Sequence, residues 1–288
     1  MSDILKSMRI KHYIKNFLIL VPFVFGVLPE DYSMEQIVRM LSGFVSFSFS
    51  CSIVYIYNDW CDREKDRKHP EKKNRPIASG RIQKKQVYIM LAVLFILIEI
   101  IYAVAGLSFQ SEIILCSYLL LNIFYSRFVK KIVLLDIVML SFFYVIRVYY
   151  GAALAGVSVS PWLFLTVLCL ALYLSGAKRY GELEIYQEEA AATREVLSGY
   201  SREYLNSIMQ IFLGMTLVFY ALWAVTAQIN MLLTVPVVIF SLMRYQYDVL
   251  IRKESDPAET VYQDKWLLLM IVLYVFVIFA SIMWKQLS

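Results

Sequence analysis

The chain has 288 residues, of which 60% are apolar and only 18% charged, with a formal net charge of +5. A soluble domain of this length carries more charge and shorter apolar runs, which excludes a water-soluble enzyme. The basic excess is also concentrated in the breaks between apolar runs, which argues for a membrane-flanking charge and against a nucleic-acid partner.

Taken in chain order, nine apolar stretches run near 14–29, 36–57, 86–106, 111–129, 132–154, 161–177, 205–226, 229–248 and 264–284. A bilayer core of about 30 Å demands about 17–25 such residues of a helix. The pattern predicts an all-α polytopic membrane protein of nine transmembrane helices, a single integral membrane domain over 1–288. Of the 28 Lys and Arg residues, 25 fall in the N-terminus and the loops 58–85, 127–131, 178–204 and 244–265. The alternate loops hold none, so the N-terminus and the charged loops are expected on the cytoplasmic side of the cell membrane. The first ten residues mix Asp3, Lys6 and Arg9 and no small-residue cleavage site follows, so no cleavable signal peptide is predicted. Cys51, Cys61, Cys116 and Cys169 show no paired spacing and are expected as packing residues. His12 and His69 are too far apart in sequence to suggest a metal site.

The second apolar run stops at Asn58, and the densest charge of the chain follows: NDWCDREKDRKHPEKKNRP, residues 58–76. If the helix continues outward at about 100° per residue, Tyr55, Asn58, Asp62 and Asp66 form one stripe and Asp59 flanks it. Carboxylates and an amide oxygen on adjacent turns make a hard-oxygen array of the kind magnesium prefers, completed by water and substrate phosphate. The acids begin at the membrane boundary, where a carboxylate is costly to desolvate, and anchoring by positive charge gives no reason for them. His69-Pro70 is expected to end the helix. Lys72, Lys73 and Arg75 follow on a loop able to grip a phosphate, while Lys65, Arg67, Lys68, Lys84 and Lys85 read as simple anchors.

Asp136 opens the fifth apolar run and Arg147 lies deep within it. They are eleven residues and about 16 Å apart along a helix, too far to pair. An intramembrane Arg faces either a functional cavity or a structural partner, and both readings of Arg147 stand. The loop after the sixth run reads AKRYGELEIYQEE, with Lys178, Arg179 and Glu182 near its start. At the end of the eighth run, Arg244 and Asp248 suggest capping or a salt bridge to the neighbouring loop. Asp256-Pro257 marks a turn, and loops 58–85 and 178–204 are expected to form the polar site.

The pattern Asn58-Asp59-x-x-Asp62-x-x-x-Asp66 resembles the first aspartate motif of the UbiA prenyltransferase superfamily. The resemblance implies nine helices around a central cavity open to the cytoplasmic side, with the motif holding magnesium diphosphate. Typical members carry a second D-x-x-x-D motif after the sixth helix; here Lys178, Arg179 and Glu182 stand in its place. The chain is similar in particular to the decaprenyl-phosphate phosphoribosyltransferase branch, through MRIKHYIKN, VYIYNDWCDREKDRKHPEKKNRPIASG, FYSRFVKKIVLLDI, YVIRVYYG, AKRYGEL, ATREVLSGYSREYL and MRYQYDV.

That resemblance implies a donor, 5-phosphoribosyl 1-diphosphate, and an acceptor, a polyprenyl phosphate, with Mg2+ as cofactor. Asn58, Asp62 and Asp66 would hold the metal and the donor's diphosphate, with Asp59 assisting. Lys15, Tyr55, Lys72, Arg75, Lys130, Lys178 and Arg179 are candidates for the phosphates, and Glu182 for ribose hydroxyls or for orienting Lys178. Asp62, Asp66 and Lys178 are the residues expected to act in catalysis, and Tyr125 is expected to face the polar site. Two anionic substrates suit basic residues in the second loop, since fixed cations lower their mutual repulsion. A lipid phosphate is already ionised near neutral pH and needs no general base.

Two other readings compete. A prenyltransferase acting on an aromatic or other small acceptor predicts a second acid motif, for which Glu184, Glu188 and Glu189 have the wrong spacing. A transporter predicts broken helices near the midplane, whereas the polar residues here gather at one face. The sequence leaves open whether the chain works as a monomer or a homo-oligomer.

Overall fold

The computed structural model describes residues 3–27, 31–68, 72–186, 195–227, 231–253 and 256–287, and among these there is no β-strand. The helices in chain order are α1 (Asp3–Met8), α2 (Val21–Gly26), α3 (Met34–Cys61), α4 (Arg63–Arg67), α5 (Lys84–Ala105), α6 (Phe109–Arg127), α7 (Leu135–Ala155), α8 (Pro161–Tyr186), α9 (Arg202–Thr226), α10 (Val235–Leu250), α11 (Pro257–Gln263) and α12 (Lys265–Leu287). A 3₁₀ segment, Ile10–Ile19, joins α1 to α2. His69, Pro70, Glu188 and Glu189 lie outside the described residues.

Among the described residues, six helices are long and apolar enough to cross a membrane: α3, α5, α7, α8, α9 and α12. The first apolar stretch is not one α-helix but the 3₁₀ segment followed by α2. Pro22, near the start of α2, explains the restart, because it has no N–H to donate and its ring blocks a helix running in from the previous turn. α10 spans 16 residues, which at 1.5 Å each gives about 24 Å, short of a bilayer core. The ends of the helices follow local chemistry. Ser33 and Gln36 form a reciprocal capping box at the start of α3, and Gly106 takes φ 57° past the end of α5, where a side chain would be strained.

The chain packs as two compact units. The first comprises residues 1–23, 33–127 and 146–157, with α3 as its pillar, packed by α1, the 3₁₀ segment, α5 and α6. α3 buries Ser46 and Ser50 on one side and Ser48 and Ser52 on the other. Ser48, Ser50 and Ser52 each donate to the carbonyl one turn back, which satisfies a hydroxyl where no water is present. Small side chains also allow close approach, so Asn16 donates to Ser48 Oγ at 2.9 Å and Tyr13 bonds Ser52 at 2.5 Å. Ile56, Ile77, Ile82, Val87 and Leu94 form a core that seats the 75–82 loop against the end of α3. Ion pairs at the end of α3 are thus carried on a loop whose backbone is fixed.

The second unit comprises 24–32, 128–145 and 158–288. α8 and α9 pack along their length, and Tyr173, Ala177, Met209, Leu213, Leu242, Tyr245, Val249 and Leu267 bury one another. A second cluster, Ile137, Val196, Tyr200 and Leu205, seats the 3₁₀ turn Glu195–Gly199. α12 has only 6% of its apolar window buried, an outer face that suits lipid rather than water.

Candidate active site

The site in the first unit is built at the end of α3. The helix does not run on unbroken: it ends at Cys61, Asp62 sits at the break with φ −91° and ψ 4°, and α4 starts at Arg63. The backbone bonds Asp62 N to Asn58 O (2.9 Å) and Asp66 N to Asp62 O (2.8 Å) carry the chain across. Asp59 and Asp66 share a partner. Arg75 Nη1 donates to Asp66 Oδ2 at 2.8 Å and to Asp59 Oδ1 at 3.2 Å. Arg9 Nη2 reaches the same Asp59 oxygen at 2.6 Å. Both carboxylates are buried, at 4% exposure for Asp59 and 6% for Asp66, so each needs a cation or donors to offset desolvation. Asp62 is half-buried at the break.

The loop that presents Arg75 is held from several sides. Arg67 Nε donates to Ala78 O at 2.9 Å, and Arg81 bonds Asn74 O and Asp3. Arg9 has φ 52° and ψ 50°, a left-handed backbone unusual for a non-glycine. The Asp59 ion pair and a stack over Tyr55, 5.0 Å from the ring centroid, compensate for it. Asn58 Oδ1 accepts from Ser126 Oγ at 2.6 Å, and the neighbouring Tyr125 is buried. Lys72 lies in the 3₁₀ turn Lys72–Asn74 and is half-buried.

Deeper in the same unit, Lys15, Arg147 and Arg9 are all near enough for their charges to act on Tyr55. Arg147 is buried; its Nε donates to Asn16 Oδ1 at 2.9 Å and its Nη2 lies 3.5 Å from Cys51 Sγ. Its guanidinium also sits over the rings of Phe47 (5.2 Å) and Tyr118 (5.4 Å). An amide oxygen and two π faces are what a cation away from water requires. Of the two readings of Arg147, the structural one has partners in place.

In the second unit, Lys178 is half-buried and 3.6 Å from Asp256 Oδ2. Arg179, beside it on α8, is fully buried. Its Nε donates to Asp136 Oδ2 at 2.7 Å, and its Nη1 bonds Glu182. Tyr200 OH donates to the other Asp136 oxygen at 2.5 Å and accepts from Leu134 N at 2.7 Å. Burial, with Asp136 beside it, pushes the Tyr200 phenol up, so it remains a donor. Arg179, expected at substrate phosphate, bonds both Asp136 and Glu182, the latter expected at ribose or Lys178. Lys130 is half-buried in the 3₁₀ turn Val129–Lys131. Arg244 bonds Asp264 at 2.6 Å and lies 3.8 Å from Asp248, the salt bridge to the neighbouring loop anticipated from sequence.

The donor set at the end of α3 fits magnesium. Asp59, Asp62 and Asp66 offer carboxylate oxygens and Asn58 an amide oxygen, all hard ligands. Among the described residues no three His, Cys, Asp or Glu side chains converge, but magnesium takes only one or two carboxylates when water and phosphate supply the rest. Asp59 and Asp66 converge on one nitrogen of Arg75.

Sequence reading gave Arg9 no role beyond the N-terminal charge, because its partner is 50 residues away. The Asp59–Asp66 pairing did leave a signal. Seven residues are two helical turns with only about 20° of offset, closer than the 40° separating Asp62 from Asp66.

Fold and site together define a multi-pass helical membrane protein with a charge-lined polar site at the end of one apolar helix. The chain belongs to the UbiA prenyltransferase family, which it matches over residues 19–270, and is a membrane transferase. It is 28% identical to the decaprenyl-phosphate phosphoribosyltransferase of Corynebacterium glutamicum, over 98% of this chain and 87% of that one. The enzyme of the same name from Mycolicibacterium smegmatis is 27% identical over 98% and 92% of the two chains. Among solved structures, a UbiA homologue from Archaeoglobus fulgidus bound to GPP and Mg2+ superposes with a TM-score of 0.75 at 18% identity, covering 98% of this chain and 99% of that one.

Proposed function

We propose that this protein transfers 5-phosphoribose from 5-phosphoribosyl 1-diphosphate to a polyprenyl phosphate, with magnesium, and releases diphosphate. The observation that carries the reading is similarity over 98% of the chain to enzymes named for phosphoribosyl transfer to decaprenyl phosphate. The end of α8 agrees with it: the half-buried Lys178 stands there, where a second acid motif would serve a prenyl diphosphate.

In this reading Asp59, Asp62, Asp66 and Asn58 hold the metal, and Arg75 and Lys72 bind the donor's phosphates. Magnesium supplies charge neutralisation on the departing diphosphate. The bond from ribose C1 to diphosphate breaks with oxocarbenium character as a lipid phosphate oxygen attacks C1. That oxygen is ionised at neutral pH, so no side chain has to take a proton from it. Arg75 stabilises the charge that builds on diphosphate as it leaves. Lys178, half-buried and 3.6 Å from Asp256, is proposed for a substrate phosphate. The excess of Lys and Arg in the charged loops supports a cytoplasmic side for this chemistry.

The test is turnover by purified protein with magnesium, labelled phosphoribosyl diphosphate and a polyprenyl phosphate. The expected products are a labelled lipid and free diphosphate, with Asp66→Asn inactive. Turnover that instead requires a prenyl diphosphate and a small aromatic acceptor would overturn the proposal.

A further inference from the structure

The acidic face at the end of α3 is already balanced by the protein's own cations. Asp59 and Asp66 are buried, and the guanidinium groups of Arg9 and Arg75 answer them charge for charge. Arg75 is the shared member: one nitrogen lies 3.2 Å from an Asp59 oxygen and 2.8 Å from an Asp66 oxygen. That nitrogen stands where a cation bridging the two carboxylates would sit. The two arginines are not held alike. Arg9 meets only one of the two acids and is stacked on Tyr55. Arg75 has a 30% exposed side chain on a backbone fixed by Ile77, Ile82 and the Arg67–Ala78 bond. Its guanidinium is therefore free to turn outward while the loop stays seated.

We propose that Arg75 is a built-in counter-ion that keeps divalent metal off Asp59 and Asp66 until a diphosphate arrives, then leaves the carboxylates to grip that diphosphate. A divalent ion alone must displace Arg75 into water, exchanging two charge-assisted hydrogen bonds for weaker ones to water. A diphosphate supplies the replacement, because its oxygens match the guanidinium fork at least as well as the carboxylates do. Metal and diphosphate therefore bind together, each raising the affinity of the other by the same factor. The outcome is ordered loading in which the acids are not occupied by metal without donor. This inference rests on the diphosphate part of the proposed function and is indifferent to whether the group carried is phosphoribosyl or prenyl.

The test is a titration of the full-length protein in detergent with Mn2+ as probe, read by electron paramagnetic resonance, with and without inorganic diphosphate. A carboxylate pair open in about 1–10% of molecules weakens apparent metal affinity by about ten- to a hundredfold. Wild type is expected to bind Mn2+ weakly alone and at least tenfold more tightly with diphosphate. Arg75→Gln is expected to bind Mn2+ alone at least tenfold more tightly than wild type, and to gain little from diphosphate. Arg75→Lys, which keeps the charge but reaches one carboxylate at a time, should fall between them and serves if the Gln variant does not fold. Equal Mn2+ affinity in all three proteins, or an undiminished gain from diphosphate in the variants, would overturn the proposal. So would a failure of Mn2+ to bind in any of them. Failure of the phosphoribosyl reading shows separately, in the turnover assay, because neither probe here carries a ribose or a lipid.

Discussion

Removing Asp136 should cost the protein far more stability than any single surface ion pair, and should do so through Arg179. The Asp136 side chain is fully buried and accepts from Arg179 Nε at 2.7 Å and from Tyr200 OH at 2.5 Å. Asp136→Ala takes a carboxylate partner from a fully buried guanidinium, and a buried ion broken on one side costs about 3–5 kcal/mol. Tyr200→Phe, which removes the hydrogen bond to a charged acceptor and also strands the Leu134 N–H, should cost at least about 1.5–3 kcal/mol. Arg179→Met should resemble Asp136→Ala, because it strands the carboxylate. The double variant Asp136→Ala/Arg179→Met should be less destabilised than the two singles added, with a coupling of about 2 kcal/mol or more. Thermal unfolding in detergent measures all four proteins, and about 3 kcal/mol should appear as a fall of roughly 6–12 °C in midpoint. If Arg179→Met unfolds within 1 °C of wild type and instead raises KM for a phosphate-bearing substrate, the structural assignment of Arg179 is refuted.

Lys178→Met should behave in the opposite way: the 3.6 Å pair to Asp256 is partly exposed and worth about 1 kcal/mol at most, so stability should hold while kcat/KM in the turnover assay falls at least tenfold. In α7, Gly151→Ala would set a Cβ 1.9 Å from the Ile19 carbonyl oxygen, and the unfolding midpoint should fall by the equivalent of about 1–3 kcal/mol. Gly43→Ala meets only the end of Leu154, a side chain able to move, and should cost less. The Asp264 carboxyl is held down to about 2, first by its bond to Arg244 and also by the N–H groups of Leu267 and Trp266. A depressed carboxylate stabilises the fold above its unfolded value of 3.8, and loses that contribution as pH falls through about 2. Unfolding of wild type and Asp264→Asn should therefore differ by about 2 kcal/mol at neutral pH, with the gap closing as the pH is taken from 4 to 2.

The membrane class and the all-helical architecture were legible in the sequence. Length and apolar periodicity report directly on a solvent that tolerates no unpaired backbone. The acids after Asn58 stood out because nothing but function or a buried partner explains a carboxylate at a membrane boundary. The interruption of the first apolar stretch near Pro22 and the end of α3 at Cys61 are local departures that a count of apolar residues does not detect.

Which charges meet is a different kind of information. Arg9 with Asp59 spans 50 positions, Arg179 with Asp136 spans 43, and Arg147 with Asn16 spans 131. No local pattern distinguishes Lys178, left half-exposed, from Arg179, fully enclosed one residue later. The sequence by itself determined that this chain lives in a membrane and gathers acids and bases at the helix ends. Only the tertiary structure decided which of those charges neutralise each other. Hydropathy acts residue by residue along the chain, whereas an ion pair needs two groups brought within about 3 Å by packing that neither of them encodes.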